Sequence, residues 1–289
     1  MQTSRDTRND DPVVRPALVY ARANPPLTHS EAVAMARLEL ERFLALVTSL
    51  SDDDWEKPTV CPLWNVRQIL AHVTGAAASH ASWSEFKRQG NRKVQQPYRA
   101  SGLSFLDSMN QIQVDDRASA TPGELIDELR TVGPRAIATR ERLPAWLRTI
   151  RVPLPALGGI VPIGYLTDLI YTRDMWMHRL DICRATEREM IQTSQHDGRI
   201  TALVVRDLVR KLTPRLGGRA VAYELTGISG GCWSLGENVR PIARITMDVI
   251  DFHLLASGRL PANELSSHTS VVGDEQIARL ALDNTQVPY

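Results

Sequence analysis

Three residues with the types and spacing for chemistry share one short segment, TRDMWMHRLDICRA: Asp174, His178 and Asp181. Separations of four and three residues put all three side chains on one stripe of an α-helix. A carboxylate and an imidazole at i and i+4 can reach one divalent cation, but two ligands alone hold it weakly. A third must come from another helix. His72 is the candidate, because it flanks the apolar stripe Val66, Ile69, Leu70 and Val73 and so can face the interior of a bundle. His72, Asp174 and His178 would leave a fourth position for water or substrate, the arrangement of catalytic zinc. Asp181, one turn on, is placed as an acceptor that fixes an imidazole tautomer. The competing reading of the same spacing is an ion-paired helix face built with Arg173, Arg179 and Arg184. Trp176 and Met177 read as core packing, as do Cys61, Pro62 and Trp64. His80 and His196 read as surface residues, and His253 as a helix residue of no special role.

Helices must position these groups. Residues 1–27 mix charges and prolines without periodicity and read as a tail, lying on the surface or disordered. A capping box, Thr28 and Glu31, then opens a helix with Ala36, Leu40, Phe43 and Val47 on its apolar face. The next helix carries His72 and is expected to run on to Gly90. A third is expected in SFLDSMNQIQVDDR. Thr121 and Glu124 form a second capping box, with Pro122 at the first helical position and Leu125, Leu129, Val132 and Ala136 inward. Pro134 is expected to kink that helix. After an irregular PLPALGGIVPIG, the helix from about Leu166 to Arg184 bears the chemical stripe. One more amphipathic helix, about Gly198 to Leu212, precedes short alternating runs bounded by glycines, as strands are. The spacing therefore predicts an α+β protein in two domains: a helical bundle over 28–189 and a second unit over 190–289, in which helices pack on a small antiparallel sheet.

Composition narrows the function. A chain of 289 residues with 43% hydrophobic content can bury two cores. A formal net charge of +1 gives no argument for nucleic acid or an anionic membrane, so a small-molecule partner is expected. Three scattered cysteines, Cys61, Cys183 and Cys232, fit neither a disulfide framework nor a cysteine zinc site and suit a reducing cytoplasm. No apolar run approaches the ~20 residues of a membrane span, and the N-terminus lacks the apolar core of a signal peptide.

WEKPTVCPLWNVRQILAHVTG resembles the first signature of the DinB-like proteins of the mycothiol-dependent maleylpyruvate isomerase type, and RDMWMHRLDICRA resembles their second. DSMNQIQVDDRASATPGELIDELR is similar to the intervening segment. FHLLASGRLPANELSSHTSVVGDEQIARLAL resembles the sterol-carrier-like domain that closes many of these proteins. The resemblance covers nearly everything after residue 28. It implies a DinB-like four-helix bundle followed by a small sterol-carrier-like α+β domain, with the metal on His72, Asp174 and His178. It implies zinc and a mycothiol cosubstrate, whose metal-bound sulfur would present a thiolate to a small electrophile. Arg259 matches the arginine of the closing domain that helps the isomerase, with the physical role of holding a substrate carboxylate. Leu63 stands where the family carries glycine, and Asp174 where the isomerase proper carries glutamate. Thiol chemistry is therefore the firmer expectation than the isomerisation.

The expected function is a metal-dependent transferase or isomerase, cytoplasmic, monomeric or homodimeric, working on a small electrophile with a low-molecular-weight thiol. Two other readings use the same fold: a non-catalytic small-molecule-binding protein, and a metal-stabilised regulatory protein whose coordination shell Asp181 or a cysteine completes.

Overall fold

The computed structural model describes residues 17–154, 159–265 and 269–289. Most of the expected tail, residues 1–16, lies outside these. Helix α1 (His29–Thr48) begins where the sequence indicates: Thr28 Oγ1 accepts from the Glu31 amide and the Glu31 carboxylate accepts from the Thr28 amide. Helix α2 (Val66–Ala81) starts on a third capping box, Asn65 with Gln68, in which both reciprocal hydrogen bonds are 2.9 Å. It ends at Ala81 rather than running to Gly90, because Ser82 turns extended and caps the short α3 (Trp83–Gln89). Helices α4 (Arg92–Ala100) and α5 (Phe105–Asp115) follow, the latter in the segment expected for a third helix. Helix α6 (Pro122–Glu141) opens on Thr121 and Glu124 and stays continuous through Pro134.

After α7 (Ala145–Thr149), the stretch expected to be irregular instead pairs β2 (Arg151–Leu154) with β3 (Gly159–Pro162) as an antiparallel ribbon. A wide π-helical turn, Tyr165–Ile170, then leads into α8 (Tyr171–Ala185), which carries the stripe. Helices α1, α6, α2 and α8 pack in a closed ring, each against its two neighbours, around Phe43, Ile69, Leu70, Leu125 and Leu129. At one crossing a Cβ on Gly133 of α6 would stand 2.8 Å from a Leu40 methyl of α1, so glycine permits that approach.

Helix α9 (Asp197–Leu216) leads to the sheet of β4 (Ala220–Thr226), β5 (Gly231–Gly236) and β6 (Ala243–Asp248). Helix α10 (Val249–Ala256), β7 (Ser270–Gly273) and α11 (Glu275–Asp283) complete the chain. The sheet is not purely antiparallel as expected. An additional N-terminal strand, β1 (Leu18–Tyr20), lies parallel to β5, and β4 lies parallel to β6, in the order β1-β5-β4-β6-β7. Part of the expected tail is therefore sheet edge, and Ala21 beside it is fully buried in the sheet's core. The core under the sheet gathers Leu208, Leu212, Tyr223, Leu235, Ile245 and Phe252.

A third cluster joins the two regions: Trp176, Met177 and Leu180 of α8 pack with Ile200 and Leu203 of α9 and Leu254 of α10. One face of α8 is thus core, as expected for Trp176 and Met177, and its other polar face is free to carry a site. Among the described residues no helix is long and apolar enough to cross a membrane.

Candidate metal centre

The geometry gathers His72 of α2 with Asp174 and His178 of α8. One donor atom from each lies within 4.8 Å of the others. His72 Nε2 stands 3.3 Å from Asp174 Oδ2, and His178 Nε2 stands 3.5 Å from Asp174 Oδ1. Ligands about 2.0–2.1 Å from a tetrahedral ion stand roughly 3.4 Å apart, so these two separations suit one cation between the donors. Both imidazoles are buried, at 4% side-chain exposure, while the Asp174 side chain keeps 27%.

His178 is fixed from behind. Its Nδ1 donates to Asp181 Oδ2 at 2.9 Å, and Asp181 is fully buried. With Nδ1 donating to Asp181, an unprotonated Nε2 would turn its lone pair toward an oxygen of Asp174. Two acceptors facing each other at 3.5 Å are stabilised by a second ring proton or by a shared cation, and a two-imidazole, one-carboxylate donor set fits the latter. Burial acts to raise the pKa of Asp174, but the charges of His178 and His72, a hydrogen bond from His72 and the charge of Arg259 outweigh it and bring it down to about 2. The acid is a carboxylate at neutral pH.

Arg259 follows α10 and reaches this cluster. Its guanidinium binds Asp181 in two hydrogen bonds of 2.7 Å, so in this arrangement it orients the partner of His178. Trp64, placed by the loop before α2, stacks on His72 with ring centroids 4.7 Å apart and lies 5.8 Å from His178. Cys61 of the same loop is half-buried; burial pushes its thiol pKa up, with the charge of Arg259 opposing.

The α8 arginines do not form the ion-paired face that the spacing also allows. Arg173 turns away to Asp207 and the Pro288 carbonyl. Arg179 pairs with Glu39 and Asp197 in a buried network joining α1, α8 and α9. His196 belongs to that network, with Nε2 2.8 Å from Glu39 and only 4% of the residue exposed, so it is not a surface residue. His80 also points inward, its Nε2 buried beside Tyr171. His253 is fully buried between Thr201 and Tyr289. The two corrections, His80 and His196, share one cause: the helix α2 and the start of α9 are covered on more sides than one apolar stripe suggests, while His253 lies on a helix as expected.

Sequence reasoning also missed Arg140, which is 9% exposed in the bundle, and His80 and Tyr171 next to it. A basic residue near the end of an amphipathic helix carries no local sign that neighbouring helices will enclose it. A cavity of about 1300 Å³ lies away from the donors, between the β2–β3 ribbon, α9 and the C-terminal residues. It shares Gly258 with the loop that bears Arg259.

The fold resembles two solved structures titled as the mycothiol-dependent maleylpyruvate isomerase and a mutant of it, with TM-scores of 0.56 and 0.55. Each is 14% identical to this chain and covers 89% of it, with 97% of the other chain covered. At that identity the likeness establishes the fold. No curated protein matches the chain. Residues 36–183, which include His72, Asp174 and His178, match the family model described as the mycothiol maleylpyruvate isomerase N-terminal domain. With more than half its length matched and all three clustered donors inside the matched region, the chain belongs to the mycothiol maleylpyruvate isomerase N-terminal domain family.

Proposed function

We propose that the protein is a metal-dependent, thiol-using enzyme, an isomerase or S-transferase, whose reaction centre is His72, Asp174 and His178. The observation carrying this reading is the held ring of His178: Asp181 accepts a hydrogen bond from its Nδ1, and Nε2 is left facing Asp174. Zinc suits the donors, and mycothiol, the thiol of the family's name, is the cosubstrate. A divalent cation held there lowers the pKa of a thiol brought to it, so that the thiol meets a small electrophile as a nucleophile.

The protein's own residues do the positioning. Helices α2 and α8 bring the donors together from sequence positions about a hundred residues apart. Arg259 and Asp181 hold the ring of His178, and Trp64 covers that of His72. The partly exposed Asp174 marks the side from which a ligand arrives. In this reading residues 28–189 form the metal-bearing unit and 190–289 the closing unit, which lends Arg259. Three free cysteines agree with a reducing cytoplasm.

The test is titration of the metal-loaded protein with mycothiol, followed by X-ray absorption at the metal edge. A new sulfur scatterer at about 2.3 Å supports thiol recruitment to the centre. Coordination unchanged at saturating thiol refutes it.

A further inference from the structure

A small space inside the bundle adjoins Asp174. Its walls are largely apolar, including Leu40, Val73 and Ile137, and its polar groups are His80, Arg140, Tyr171 and Asp174. The free volume is about 30 Å³, room for one to two water molecules and so for no more than the end of a small group such as a carboxylate.

Arg140 is only 9% exposed, yet no carboxylate among the described residues makes an ion pair with it. Its guanidinium donates from Nη1 to the Thr167 carbonyl at 3.3 Å, while Nε is buried without a partner. Asp168, whose charge reaches it, is already bonded to Arg148 and His29. Burial accordingly pulls the Arg140 pKa down to about 10, against the opposing effects of Tyr171 and Asp168. His80 stands on the same space with Nε2 buried and unpartnered, its ring 3.8 Å from that of Tyr171. Burial, and then the charge of Arg140, hold that imidazole neutral, with a pKa of about 3.

A buried guanidinium without a counter-ion is costly, and an apolar residue of similar length would pack there without that cost. We propose that Arg140, assisted by His80, is the anchor of an anion subsite that receives one carboxylate of the substrate beside the His72, Asp174 and His178 cluster. The Nε and Nη groups of arginine form a planar fork that matches two carboxylate oxygens, and neutral His80 offers one further donor. Arg259 is already engaged by Asp181, whereas Arg140, the guanidinium on this space, has no carboxylate partner among the described residues. The ligand chemistry this subsite selects is a carboxylate on a small molecule. This inference rests on the reading of the cluster as the reaction centre.

The test is calorimetric titration of the metal-loaded, full-length protein with maleate and with its neutral diamide. The expected result is binding of maleate at least tenfold tighter than of the diamide. Arg140→Met should abolish that preference, and Arg140→Lys should restore part of it. Should Arg140→Met not fold, His80→Gln carries the same test, with an expected weakening of maleate binding of threefold or more. Maleate binding that is unchanged in a folded Arg140 variant, or that follows metal content alone, overturns the proposal. Arg140-dependent maleate binding by a wild type that takes up no metal on loading would uphold the subsite and sink the metal centre. Metal binding with maleate indifferent to Arg140 would do the reverse.

Discussion

Arg259 holds Asp181 with two parallel hydrogen bonds, Nε to Oδ1 and Nη2 to Oδ2, each 2.7 Å long. Asp181 also accepts from His178 Nδ1, so a residue of the loop after α10 sets the orientation of an imidazole on α8. Burial acts to raise the Asp181 pKa, but His178 and Arg259 outweigh it and hold the carboxyl below its usual value.

Arg259→Met should therefore weaken metal binding without touching a donor. The expected loss is about 10- to 100-fold in affinity, the usual cost of removing an outer partner. Competition with a chelator of known affinity measures it. Unchanged affinity in a folded variant would mean that Asp181 alone orients the ring.

The grouping of His72, Asp174 and His178 was legible because two of them share a helix at a spacing that a helix brings together, and the third lies on a recognisable amphipathic stripe. The Arg140 subsite was not, since it arises where α6, α2 and α8 converge and no local pattern in any one of them marks it. The strand Leu18–Tyr20 was hidden for a related reason. Three residues among prolines look like tail until their partners, Cys232 to Ser234, are known. The helix starts at Thr28 and Thr121 were legible, because a capping box is local chemistry.

Glu39 is fully buried and accepts from both Arg179 and His196. Replacing it with alanine leaves His196 Nε2 without its carboxylate and Arg179 with Asp197 as its remaining counter-ion between α1, α8 and α9. Glu39→Ala should lower stability by about 3–5 kcal/mol, read from urea denaturation. A loss under 1 kcal/mol would show that water repairs the gap.

His253 titrates against the fold. Burial, and then the charge of Arg173, depress its pKa to about 3 from 6.5. The unfolded chain binds the proton first, so the stability this group contributes is present above pH 6.5 and is lost as pH falls toward 3. The slope is up to about 1.4 kcal/mol per pH unit for one group. Urea midpoints between pH 4.5 and 7 should fall less steeply in His253→Gln than in the wild type. Parallel pH profiles would contradict the assignment.

Gly133→Ala places a Cβ 2.8–2.9 Å from the methyls of Leu40. Overpacking costs about 1–3 kcal/mol, while alanine recovers about 1 kcal/mol of helix propensity. A net loss of up to about 2 kcal/mol is expected. Combining it with Leu40→Ala should give less than the sum of the two, since the removed side chain is the one the new methyl strikes. Additive losses would mean that the two helices part instead.

The central claim is that His72, Asp174 and His178 hold one divalent cation. Metal analysis of the purified protein and of His178→Ala, with folding of each checked by circular dichroism, tests it most directly. The account predicts about one equivalent per chain in the wild type and loss of most of it in the folded variant. Metal absent from the wild type after reconstitution, or retained in full by His178→Ala, would contradict it.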